Sequence, residues 1–167
     1  MLHFYTYPGL PPYTDYIGKE LIPWIHSHFP TNTKAANNFI VGASFGGLAG
    51  MFLGLKYPNV VGNIISQSGA FFWFPREERE DGWLMKQFAF AKKLNLNIYL
   101  DVGCVENVLT FNKGASILSA NRHLRDVLMA KEYEVFYQEY AGGHDYMCWQ
   151  DTLPTALIEL FKNNSVQ

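Results

Sequence analysis

Two cysteines, Cys104 and Cys148, are too few for a disulfide framework, and both are expected to be free thiols. A dominant charge is missing as well. Thirteen Lys and Arg against fifteen Asp and Glu leave a net charge of −2, which removes the electrostatic case for nucleic acid or an anionic membrane as partner. No apolar run approaches the length of a membrane span. The opening residues, Met1-Leu2-His3-Phe4-Tyr5-Thr6, hold no basic region followed by an apolar core, so the reading is a cytoplasmic protein. Histidine is sparse. His26 and His28 are not joined by a carboxylate cluster and read as favourable contacts with a helix C-terminus rather than metal ligands. The sequence offers no basis for a metal or organic cofactor. No internal repeat is present.

What is there is core-forming material. Apolar residues make up 49% of the 167 positions and charged ones 17%, which fits one globular domain over residues 1–167. Residues 1–12 are aromatic and proline-rich and read as an irregular lead-in. A helix is predicted from an N-cap at Thr14, with Ile17, Leu21, Ile22 and Ile25 on one face and a kink at Pro23. After a polar loop at 31–38 the pattern alternates. Strands are predicted at 39–41, 60–66, 97–102 and 134–140, and helices at 46–57, 83–94, 115–130 and from Thr152 onward, with Pro154 in the first turn of the last. Strictly alternating strands and helices argue for an α/β fold, a mostly parallel sheet with helices on both faces.

The chemistry centres on Ile40–Gly47, IVGASFGG. An apolar run leads into Gly42-Ala43-Ser44-Phe45-Gly46 and a helical pattern follows at once, which is the G-x-S-x-G nucleophile elbow. Ser44 is expected at a strained strand-to-helix turn. Gly42 and Gly46 are expected because a Cβ at either place would collide with a neighbouring element. Two further strand ends carry Glu106, in Gly103-Cys104-Val105-Glu106, and His144, in Ala141-Gly142-Gly143-His144. The order nucleophile, acid, histidine is that of α/β-hydrolases. Ser44 would attack an ester carbonyl, His144 would act as base, and Glu106 would hold the imidazole. Asp101 and Asp145 compete for the acid's place, and a Ser-His dyad is the main rival. Phe71, Phe72 and Trp73, just past the second predicted strand, either line an aromatic acyl pocket or belong to the core. Cys104 and Cys148 read as small buried packing residues, with a reactive thiol as the alternative.

The stretches GASFGGLAGMFLGLKYP, SQSGAFFWFP, DVGCVEN, NRHLRDVL and EYAGGHDYMCWQDTLPTALIELF together resemble the esterase family of α/β-hydrolases, and within it are most similar to enterochelin esterases. The resemblance runs from about Tyr13 to Phe161. It implies Ser44 as nucleophile, His144 as base and Glu106 at the acid's place, with catecholoyl-serine esters as substrates. Substrate contacts are expected from Phe71, Phe72, Trp73 and Arg76, and an oxyanion-hole N–H from Phe45. Feruloyl, acetylxylan and S-formylglutathione esterases share the scaffold. Members of the family are longer. The resemblance implies that the first strands, and the loop giving a second oxyanion donor, are absent here, a loss worth on the order of 10²–10³ in rate. The expectation is therefore an N-terminally truncated esterase, weakly active or inactive, that dimerises through an exposed sheet edge at Phe39–Val41. A hydrolase remnant that binds a small aromatic ligand is the alternative of another class.

Overall fold

The computed structural model describes residues 11–75, 82–107 and 115–164. Four strands, β1 (Phe39–Ala43), β2 (Asn63–Gln67), β3 (Asn97–Gly103) and β4 (Val135–Tyr140), form a parallel sheet in the order β1-β2-β3-β4. The helices between them are α3 (Phe45–Lys56), α4 (Trp83–Phe90) and α5 (Ile117–Ala130), and α6 (Tyr146–Asn164) follows β4. The central strands β2 and β3 are buried on both faces, as parallel strands under crossover helices must be, while β1 and β4 at the two ends of the sheet are only partly covered.

Successive residues of one strand serve opposite layers. Ile64, Ile98 and Leu100 face a large core with Leu48 and Met51 of α3, Leu84 and Phe88 of α4, and Leu124 and Leu128 of α5. Their neighbours Ile65 and Tyr99 face the other way and pack on Ala156 and Leu160 of α6. Each fully buried Leu or Ile contributes roughly 1.5–3 kcal/mol of transfer free energy. The expectation of helices on both faces holds, with α3, α4 and α5 on one side and α6 on the other.

The register sets the functional edge. Ala43 lies opposite Gln67, Gln67 opposite Asp101, and Asp101 opposite Gln138. The residues that follow these positions, Ser44 and Ser68 among them, therefore emerge at one level from the C-terminal ends of the strands.

Several predicted boundaries move. The first helix begins at Pro11, not at a Thr14 cap. It comprises α1 (Pro11–Asp15), a π-helical turn (Tyr16–Leu21) and α2 (Ile22–His28). The π turn precedes the predicted kink at Pro23. The Ile22 N–H reaches back to the Ile17 carbonyl, and the wider turn accommodates the pyrrolidine ring, which has no N–H to donate and would collide with a carbonyl four residues earlier. Asp15 anchors this segment. It accepts from Tyr57 Oη at 2.6 Å and from Lys19 Nζ at 3.0 Å, and it also pairs with Lys56 at the end of α3. Helix α4 ends at Phe90 rather than near Leu94, because Ala91 turns extended. β2 begins at Asn63, so Val60 and Val61 belong to its approach. The last helix starts at Tyr146, not Thr152, and Pro154 lies inside it. Its start is set by Asp145, whose carboxylate accepts from the Cys148 N–H at 3.0 Å.

Candidate active site

β1 runs straight into α3 through Ser44, whose φ of 56° and ψ of −119° lie outside the regions open to ordinary residues. The turn holds because both its backbone groups are bonded. Ser44 N–H donates to the Gln67 carbonyl at 2.8 Å, and its carbonyl accepts from Ala70 N–H at 3.0 Å. A Cβ at Gly42 would overlap the backbone of Gly46, as the elbow requires. Gly46 itself departs from expectation: a Cβ there meets open space. The second tight position is Gly47, where an added Cβ would overlap Ser66 Oγ and press on Gly42 O and Gly69 Cα.

Ser44, His144 and Glu106 come together. His144 Nε2 lies 3.0 Å from Ser44 Oγ, and His144 Nδ1 lies 2.6 Å from Glu106 Oε2. The Glu106 side chain is 2% exposed and that of His144 34%. Burial alone would push the Glu106 carboxyl up. Donors from His144, Ser68 and the Gly103 N–H outweigh it and hold the group below the usual range. An ionised Glu106 can only accept, so Nδ1 carries a proton and Nε2 is left as an acceptor for the Ser44 hydroxyl. The two acids that competed with Glu106 in the sequence lie elsewhere. Asp145 caps α6. Asp101 is fully buried in β3, and among the described residues neither of its oxygens has a hydrogen-bond partner. Burial pushes its carboxyl up to about 6. Thr152 and Gln67 pull the other way without outweighing it. Gln67 spends its amide on the Trp149 carbonyl and Thr152 Oγ1, both at 2.7 Å.

The aromatic stretch after β2 divides. Phe71 is fully buried in the core and lines no surface, which corrects its expected role as a substrate contact: the Gly69–Phe71 turn folds its ring inward beneath Gly69. Phe72 is half-buried and meets Phe45 edge-on at 6.3 Å, beside Ser44. Trp73 packs edge-on against Trp83 at 5.5 Å, on the side of the core. Phe45 is the first residue of α3. Arg76 lies outside the described residues. Cys148 is half-buried near Asp145, and Cys104 is exposed.

Sequence reasoning missed the shell around Glu106. Ser68, Tyr140 and Trp149 surround the carboxylate, and Trp149 also sets its ring edge-on to His144 at 4.9 Å. The only local signal was the SQSG turn. Among the described residues no group of three or more His, Cys, Asp or Glu is placed to hold a metal, and no helix is long and apolar enough to cross a membrane.

A catalytic-type geometry on a parallel sheet invites comparison with known hydrolases. Residues 5–160 match the family model described as "Putative esterase". The chain belongs to this family. Iron(III) enterobactin esterase of Escherichia coli K12 is 30% identical over 148 residues, which cover 87% of this chain and 35% of that relative. The crystal structure of the enterobactin esterase from Shigella flexneri in the presence of 2,3-dihydroxy-N-benzoyl-glycine superposes with a TM-score of 0.78 at 29% identity, over 94% of this chain and 40% of the other. A ferulic acid esterase shares the fold at 15% identity, with a TM-score of 0.74. The chain thus spans about a third of the length of the enterobactin esterase relatives it matches. The architecture of the chain is that of the α/β-hydrolase fold.

Proposed function

We propose that this chain is a serine ester hydrolase that cleaves aromatic acyl esters, of the catecholoyl-serine type, through an acyl-enzyme on Ser44. The observation that carries the reading is the unbroken line from Ser44 Oγ through His144 to Glu106, at 3.0 and 2.6 Å. In the first half-reaction Ser44 Oγ attacks the ester carbonyl as its proton passes to His144 Nε2. The carbonyl oxygen becomes an oxyanion, for which the backbone N–H of Phe45, next to the nucleophile at a helix start, is the assigned donor. The C–O bond to the alcohol breaks, and His144 returns the proton to the leaving oxygen. Water then repeats the sequence on the acyl-enzyme and frees Ser44. Glu106 stays ionised throughout and stabilises the imidazolium.

The substrate class rests on kinship with relatives named iron(III) enterobactin esterase and on the half-buried Phe72 beside Phe45 at the nucleophile. Iron would be the substrate's cargo.

The test is fluorophosphonate labelling of the purified chain read by intact mass. One adduct is expected on wild type and none on Ser44→Ala or His144→Ala. A folded wild-type chain that takes no adduct would overturn the reading and leave a ligand-binding remnant. Competition between a catecholoyl-serine ester and a feruloyl sugar ester then fixes the acyl class. Preference for the sugar ester would move the assignment to the feruloyl type.

A further inference from the structure

Glu106 is fixed by more than His144. Its Oε1 accepts from Ser68 Oγ at 2.6 Å and from the Gly103 N–H at 2.8 Å, with Tyr140 Oη at 3.5 Å. Ser68 is itself a hub. Its hydroxyl lies 2.9 Å from Trp149 Nε1 and 3.0 Å from Tyr140 Oη, and the residue is fully buried. Proton counting settles the directions. An indole N–H can only donate, so Ser68 Oγ must accept from Trp149. An ionised carboxylate can only accept, so the single Ser68 proton goes to Glu106. Tyr140 then donates to Ser68 or to the Gly143 carbonyl, 3.2 Å away.

The backbone places Ser68 for this task at a cost. Its φ is 48°, in the left-handed region that glycine occupies more easily. The conformation is held by its N–H, which donates to the Asp101 carbonyl at 2.7 Å. A turn residue chosen for backbone comfort would be glycine. Serine here supplies a hydroxyl. We propose that Ser68 is a positioning residue of the site: Trp149 obliges its hydroxyl to donate to Glu106 Oε1, which keeps Oε2 turned to His144. Its effect on rate rests on the esterase reading, but its effect on the His144–Glu106 hydrogen bond does not.

The test uses Ser68→Gly, which suits the backbone and removes the hydroxyl together with its Cβ, with Trp149→Phe as a second variant should the first fail to fold. Two readouts are taken. One is the low-field proton resonance of His144 Nδ1–H, which needs no turnover. The other is the pH dependence of the fluorophosphonate labelling rate. The groups around Glu106 that share its titration are His144 and Tyr140 from β4 and its loop, Asp101 from β3 and Cys148 from α6. With one donor gone, the carboxylate charge is less compensated and the Glu106–His144 pair holds its proton more tightly. The acid limb of the labelling profile should therefore move to higher pH in Ser68→Gly. Labelling at neutral pH should fall roughly 10- to 100-fold, the worth of one hydrogen bond to a charged group. The resonance should shift or broaden in both variants. A folded Ser68→Gly or Trp149→Phe with the wild-type resonance and pH limb overturns the inference, as does a wild-type chain that lacks the resonance. A wild type that shows the resonance but takes no adduct refutes the esterase reading and leaves this one to the resonance alone.

Discussion

Asp101 carries the clearest consequence at the scale of single residues. Its carboxyl is raised by burial to about 6, so the folded state prefers it protonated. The sign follows from linkage. The stability it contributes is fully present near and below pH 4, where even the unfolded chain is protonated, and is lost as pH rises through 6. The difference amounts to roughly 3 kcal/mol. Asp101→Asn should therefore raise the melting temperature at pH 8, change it little at pH 4.5, and flatten the stability profile between them. Thermal unfolding of both proteins across that range checks it, and an unchanged slope would refute the assignment. The same scale shows what a sequence discloses. That Ser44, Glu106 and His144 meet was readable because each lies just past the C-terminal end of a parallel strand. Strand alternation separates Glu106 from Asp101: Asp101 lies within β3, two residues after Tyr99, and so faces the α6 layer with Thr152 rather than the strand-end edge. Ser68 and Trp149 were not legible as partners, since 81 positions separate them and no local pattern encodes their contact. Phe71 was assigned two possible places because an aromatic just past a strand end serves a pocket or a core equally well.

At the scale of elements, the junction of α3 with β2 is held by one small residue. Gly47 faces Ser66, a fully buried hydroxyl with no hydrogen-bond partner among the described residues. Gly47→Ala should force the helix off the strand and destabilise the fold by about 1–3 kcal/mol. Ser66→Ala should be neutral or slightly stabilising, since it deletes an unsatisfied polar group. In the double variant most of the loss should return, because the atom that blocks the new methyl is gone. Denaturant unfolding of the four proteins measures that coupling, and strict additivity would exclude the contact as the cause. Element existence and type were readable from periodicity across the whole described sheet. Element ends were not. The start of α6 depends on Asp145 as a cap, yet Pro154, a strong sequence signal for a first turn, drew the predicted boundary inward. The π turn before Pro23 was hidden for a similar reason: sequence marks where a hydrogen bond is lost but not how the backbone widens to absorb it.

At the scale of the whole molecule, β1 stands at the end of the sheet, and among the described residues no strand pairs with its outer side. Parallel pairing to β2 uses Ser44 N–H and the Asn38 carbonyl, so alternation turns the backbone groups of Phe39, Val41 and Ala43 outward. Val41 is 43% exposed there. Edge pairing between copies, expected from the sequence, should appear as a concentration-dependent dimer in sedimentation, abolished by Val41→Lys. A monomer at all concentrations would discard it. The strand order has a temporal meaning too. Each new strand docks on the one made just before it, so the sheet can grow in step with synthesis from β1 to β4. Within the described sheet Ser44 is laid down after β1 alone, whereas the imidazole that would activate it belongs to the loop after β4, and the layer that buries the opposite face follows later still. A nascent chain would therefore carry an unassisted alcohol until the loop after β4 has emerged, and synthesis that halts before His144 leaves a product without that imidazole.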